Sequence, residues 1–197
     1  VSKPRISPST KERLITVAVD AFGREGFDVG IRTITTRATA AAGIVQYHFG
    51  GKEGLREACD QRVYMAVDAA LPAHFRSDGM VQIAEDGDPS PIVYYVLRSL
   101  GEGAPLARQV VSRLATHVAG LLGPAEKLGS DTLNRARQVV RFALGATMLD
   151  FSVRRPQGPD EVREFIRVAW DEEFVPLIAR VLAEPDLLGE PATEETH

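Results

Sequence analysis

Apolar side chains along the 197-residue chain recur at helical spacing and almost nowhere alternate as a strand requires. The first clear stripe is Leu14, Val17, Ala18, Ala21 and Phe22, whose steps place them on one helix face. Ser9 and Glu12 precede it at the spacing of a capping box, where each side chain satisfies the other's free amide. Gly26 is placed to end that helix in a left-handed conformation. Ile31, Ile34 and Ala38 predict a short second helix, and a tight connection leads to a third over roughly 41–47. A long fourth helix, roughly 52–75, packs through Leu55, Ala58, Val63, Val67 and Leu71, with Pro72 bending it.

Beyond the loops "SDGM" and "EDGDPSP", further helices are predicted at roughly 91–102 and 104–123. Two long apolar helices, roughly 131–154 and 160–183, follow the loop "GPAEKLGSD" and are joined by "RRPQGPD", with Pro176 kinking the second. They carry more apolar surface than a one-sided helix needs, so both are covered on two sides, either inside a bulky core or across a subunit interface. We read that as a subunit interface through Val140, Leu144, Phe151, Phe165, Trp170, Phe174 and Ile178. The expected organisation is all-α: a flexible arm at 1–8, a small helical head at 9–56, a larger body at 57–185 and a disordered acidic tail at 186–197.

Composition narrows the classes. Hydrophobic residues at 44% and charged residues at 25% are ordinary for a folded globular chain. No run of eighteen apolar residues is present and "VSKPRISPSTKER" lacks a signal-peptide core, so no membrane partner is expected. A single cysteine, Cys59, permits no internal disulfide and fits a cytoplasmic setting. The four histidines are scattered, without metal-ligand spacing; neither metal nor cofactor is expected. No GxSxG, GxxxxGK[ST] or HExxH motif occurs, so the chain reads as a non-enzyme. The competing classes are a small helical enzyme and a protein-interaction module.

Charge is uneven. Residues 1–56 carry nine Lys/Arg against five Asp/Glu, the remainder fourteen against twenty-two. A basic head on an acidic body places any polyanion at the head.

Two short helices joined by a tight turn and propped by an earlier helix match the helix-turn-helix pattern, whose second helix enters the DNA major groove. The stretch "IVQYHFGGKEGL" then makes sense. Val45 and Phe49 anchor the third helix on Phe22, Ile34 and Leu55, while Gln46, Tyr47 and His48 face nucleic acid. Gln suits adenine, Tyr and Lys suit phosphate oxygens, and Lys52 opens a helix whose N-terminus favours an anion.

"RTITTRATAAAGIVQYHFGGKEGL", preceded by "AVDAFGREGF", resembles the tetracycline-repressor (TetR) family of bacterial transcriptional regulators. The resemblance rests on "AxxxFxxxGF", the "YHF" triplet and the "KEGL" that follows it. It implies a homodimeric, ligand-responsive repressor on a pseudo-palindromic operator, released by a small, apolar effector. It further implies that Arg32 contacts bases or phosphate. Ala42, Gly43 and Ile44 would start the groove-facing helix, Gln46 and Tyr47 would grip phosphates, His48 would buttress them and Lys52 would clamp the backbone. The body would hold the effector, with Met65, Tyr94, Tyr95, His117, Phe142, Met148 and Trp170 as candidate lining. Three positions depart from the family pattern. Thr39 stands where glycine is usual, Ala41 replaces a serine cap, and Val29–Gly30 replace threonines.

Overall fold

A computed structural model describes residues 9–41, 43–74, 87–122, 130–177 and 180. The predicted arm, the tail, the "SDGM" loop, Ala42 and Ile178 lie outside them. Every regular element among the described residues is helical: α1 (Thr10–Glu25), α2 (Ile31–Arg37), α3 (Gly43–Phe49), α4 (Lys52–His74), α5 (Ser90–Gly101), α6 (Pro105–Leu122), α7 (Ser130–Arg154) and α8 (Gly158–Arg167). Packing groups them into two units, Val1–Ala69 with Gly87–Gln109, and Ala70–Asp86 with Val110–His197.

In the first unit, α1 begins where the chemistry asks. The Ser9 hydroxyl accepts from the Glu12 amide at 3.2 Å and Glu12 accepts from the Ser9 amide at 2.7 Å. That backbone hydrogen bond holds the Glu12 carboxyl below its usual range. The helix ends at Gly26, but with φ 101 and ψ 166 rather than in the expected left-handed helical region. This extended, positive-φ geometry is open essentially to glycine alone, and the Gly26 amide still donates to the Phe22 carbonyl. Leu14, Ala18, Ala21 and Phe22 are buried as the stripe requires, whereas Val17 is half-buried and Val19 takes a core position.

Helix α5 belongs to this unit because it lies directly on α1. A Cβ added to Gly23 would fall 2.8 Å from the Tyr95 amide nitrogen, so only a glycine lets the two backbones come so close. Tyr95 forms edge contacts with Phe22 and Phe27, and its hydroxyl donates to Asp60 of α4 at 2.6 Å. Asp60 also accepts from Arg56, whose guanidinium covers the Phe27 ring. Leu55, Cys59 and Val63 of α4 are fully buried.

The second unit is built on Val110, Leu114, Val118, Val139, Val140, Leu144, Val162 and Phe165. Phe151 meets Phe165 edge-on at 5.5 Å, and Trp170 meets Phe174 at 4.9 Å. Ahead of Pro176, where a kink is expected, the chain forms a π-helical segment, Val168–Phe174, in which the Val175 amide reaches back to the Trp170 carbonyl. A proline removes one amide and crowds the carbonyl four residues earlier. A widened turn just ahead of it relieves both.

Candidate nucleic-acid interface

Helix α3 has seven residues, too few to persist alone in water, so its neighbours must hold it. Val45 is its one fully buried side chain. The approach from α2 is a tight helix ending: the Thr39 amide donates to Thr36 and the Ala40 amide to Thr35. This is the pairing of a Schellman motif. It puts Thr39 at φ 51, the positive φ that its glycine-like position demands of a β-branched residue. After that turn the Ile44 amide bonds the Ala41 carbonyl, and the helix runs two residues later than predicted, to Phe49. Boundaries shift this far when only the cap geometry decides them.

The far end of α3 is equally constrained. Gly50 and Gly51 have φ 72 and 130, turning the chain abruptly into α4. A Cβ on Gly54 would lie 1.8 Å from the Phe49 carbonyl oxygen, so the first turn of α4, carrying Lys52, sits hard against the last turn of α3.

What remains outside is the polar edge. Tyr47 is 82% exposed, Gln46 and Gly43 are exposed, and Ile44, His48 and Lys52 are half-buried. The rings form a ladder: Tyr47 to His48 at 5.0 Å, His48 to Phe49 at 6.1 Å. Phe49, expected in the core, is half-buried, and the Lys11 ammonium stands 5.7 Å from its centroid. Arg32 is exposed on α2 and makes no ion pair among the described residues. Its neighbour Thr35 is buried, its hydroxyl donating to the Ile31 and Arg32 carbonyls.

Arg37 has a different role from Arg32. It holds Glu25 through both carboxylate oxygens, one of them at 3.1 Å, tying the end of α2 to the end of α1. This hydrogen bonding keeps the Glu25 carboxyl below its usual range. Glu25 was not among the predicted site residues, since nothing local marks a partner twelve positions away. Cys59 is inert by its setting: burial pushes its thiol up to about 12, and the thiolate is the reactive form.

The seven candidate effector residues are divided between the two units. Tyr94 and Tyr95 are core of the first unit, where Tyr94 lies under Arg24. Met65 and Phe142 are 60% and 72% exposed; His117, Met148 and Trp170 are half-buried in the second unit. A cleft of about 720 Å³ opens in the first unit beside Lys52, lined by Phe22, Phe27 and Pro105 together with Glu53, Glu57 and Glu102, and of the seven candidates none lines it.

The interface candidates on α7, α8 and the π-helical segment also divide. Val140, Leu144, Phe165 and Phe174 are buried by their own chain, and Phe151 and Trp170 are half-buried. The exposed apolar side chains of α7 are instead Phe142, Leu149 and Val153.

Known proteins share this arrangement. Residues 14–59 match the family described as bacterial regulatory proteins, tetR family. Residues 88–181 match the tetracyclin repressor-like C-terminal domain. The HTH-type transcriptional regulatory protein RaaS of Mycobacterium tuberculosis is 30% identical over 164 residues, covering 79% of this chain and 76% of that protein. A TetR transcriptional regulator from Legionella pneumophila superposes with a TM-score of 0.52 over 92% of this chain and 99% of its own, at 17% identity. That last likeness is one of fold.

Proposed function

The chain belongs to the TetR family of bacterial transcriptional regulators, and from that membership we propose that it is a homodimeric, ligand-responsive repressor whose α3 reads an operator half-site. The observation that carries the reading is the split within α3: Val45 is fully buried while Gln46 and Tyr47 stand in water. A helix pinned by one apolar contact and bare along its other edge is suited to a groove. Arg32, Gly43, Ile44, Gln46, Tyr47, His48 and Lys52 are the proposed contacts. Ala42, expected among them, lies outside the described residues.

The dimer surface we assign to α7. Phe142, Leu149 and Val153 point outward, with Gly145 and Ala146 exposed between them, a continuous helical stripe. Left wet, such a stripe is an unfavourable surface, and a second copy laid against it removes it from water. Two heads per molecule match the two halves of a pseudo-palindromic operator. A small effector shifts the population only if it favours the dimer whose heads are misplaced.

No helix among the described residues is long and apolar enough to cross a membrane. The decisive experiment is a gel shift with the duplex upstream of the chain's own coding sequence, repeated across a salt series. Phosphate contacts make affinity fall steeply with salt. Affinity that holds steady as salt rises would overturn the proposal.

A further inference from the structure

The head carries nine Lys and Arg among residues 1–56, and the structure separates them by what they hold. Arg24 is paired with Asp20, Arg37 with Glu25 and Arg56 with Asp60. These three are neutralised on the protein itself. Among the described residues Lys11, Arg13, Arg32 and Lys52 make no ion pair; Arg13 donates to the Thr10 hydroxyl at 3.4 Å, and the other three make no side-chain hydrogen bond within the head. Arg32 and Lys52 already belong to the proposed DNA site. Lys11 has not been accounted for.

Its position is specific. Lys11 continues the buried stripe Leu14, Ala18, Phe22 one step toward the N-terminus, yet it is exposed. The stem therefore leaves the core and its ammonium comes to rest 5.7 Å from the Phe49 centroid. Phe49 ends the ring ladder that begins at the exposed Tyr47, and Lys52 lies three residues further on. Lys11 thus brings a charge from α1 to the C-terminal end of α3, the end that turns into Lys52. The one carboxylate beside it in sequence, Glu12, is bent back onto the Ser9 amide at 2.7 Å.

From this we infer that Lys11 is a DNA phosphate anchor, contributed by α1 and held ready by Phe49; the inference rests on the DNA-binding reading above. The ring occupies one side of the ammonium and leaves N–H donors for a phosphate oxygen. Holding the ammonium over the ring also lowers the entropy lost on binding, which a freely moving lysine would bear in full.

The test uses the full chain and a short duplex of random sequence, because a phosphate contact does not depend on bases. Affinity is measured by fluorescence anisotropy as salt is raised. Lys11→Met keeps the apolar stem over Phe49 and removes only the charge. We expect its salt slope to be shallower by about 0.9 for each head on the duplex. A fourfold rise in salt should then cost about threefold less affinity per head than in the parent. Lys11→Arg should restore the parent slope, and Lys52→Met serves as the companion. If the parent does not bind, the DNA-binding reading itself fails. If the parent binds and Lys52→Met is shallower while Lys11→Met overlays the parent, Lys11 is no anchor. A shallow slope in Lys11→Arg as well would equally overturn the role of its charge.

Discussion

Thr39 and Gly103 occupy the same position in two copies of one helix-ending motif. At the end of α5 the Gly103 amide donates to Leu100 and the Ala104 amide to Ser99, the same pairing that Thr39 and Ala40 make at the end of α2. The positive φ is 63 for Gly103 and 51 for Thr39. Glycine accepts that conformation freely; a side-chain-bearing L-residue is strained there by roughly 1–2 kcal/mol. The turn that leads from α2 into α3 is therefore held by the surrounding hydrogen bonds against a local preference.

Thr39→Gly should accordingly stabilise the chain. The relief of strain exceeds the added freedom of the unfolded glycine, leaving a gain of about 0.5–1 kcal/mol. Urea denaturation measures it. A loss of stability would mean that Thr39 makes a compensating contact.

Gly23→Ala should act in the opposite direction. The new Cβ would sit 2.8 Å from the Tyr95 amide nitrogen and 3.0 Å from the Tyr94 Cβ. Overpacking of this kind costs about 1–3 kcal/mol, against roughly 1 kcal/mol gained from better helix propensity. The net effect is destabilisation of up to about 2 kcal/mol, read from the same urea midpoints. An unchanged or raised midpoint would show that α1 and α5 separate without penalty.

At the proposed DNA interface two variants should behave differently. Tyr47→Phe deletes a hydroxyl from a side chain that is 82% exposed, so it should weaken all duplexes by a similar factor. Gln46→Ala should also relax the preference among operator variants, by about 1–3 kcal/mol at one base pair if Gln46 reads adenine. Anisotropy titrations against an operator series separate the two. Parent-like binding by both would move the contact surface elsewhere.

Phe142 and Leu149 test the dimer. Both are more than 60% exposed, so Phe142→Glu with Leu149→Glu should leave the helical content of a monomer unchanged. Charges buried in an apolar interface are strongly disfavoured, so light scattering should report a mass halved relative to the parent. A dimeric double variant would place the interface off this stripe.

Acid should loosen the link between α1 and α2. Arg37 holds the folded Glu25 carboxyl below its usual value of 4.5, so the carboxylate contributes stability that is complete above that value and is lost as pH falls through the folded pKa. Melting temperatures followed downward from neutral pH should decline less steeply in Glu25→Gln than in the parent below about pH 4.5. Identical acid slopes would mean the pair is fully solvated and contributes nothing.

Short-range rules made much of this molecule legible from residues alone. The Ser9–Glu12 box, the stripe from Leu14 to Phe22, the order of three short helices and a fourth opening at Lys52 all follow from capping and periodicity, which depend on neighbours a few positions away. What the tertiary structure decided is where an ambiguous side chain turns. α7 is apolar on most sides, so periodicity could not say that Val140 goes inward and Phe142 outward. Only the neighbouring helices settle it. Likewise Arg37 is captured by Glu25, Tyr95 by Asp60, and Lys11 by Phe49, through contacts between residues distant in sequence. Burial and pairing are properties of the packed whole, whereas a helix start is a property of one turn.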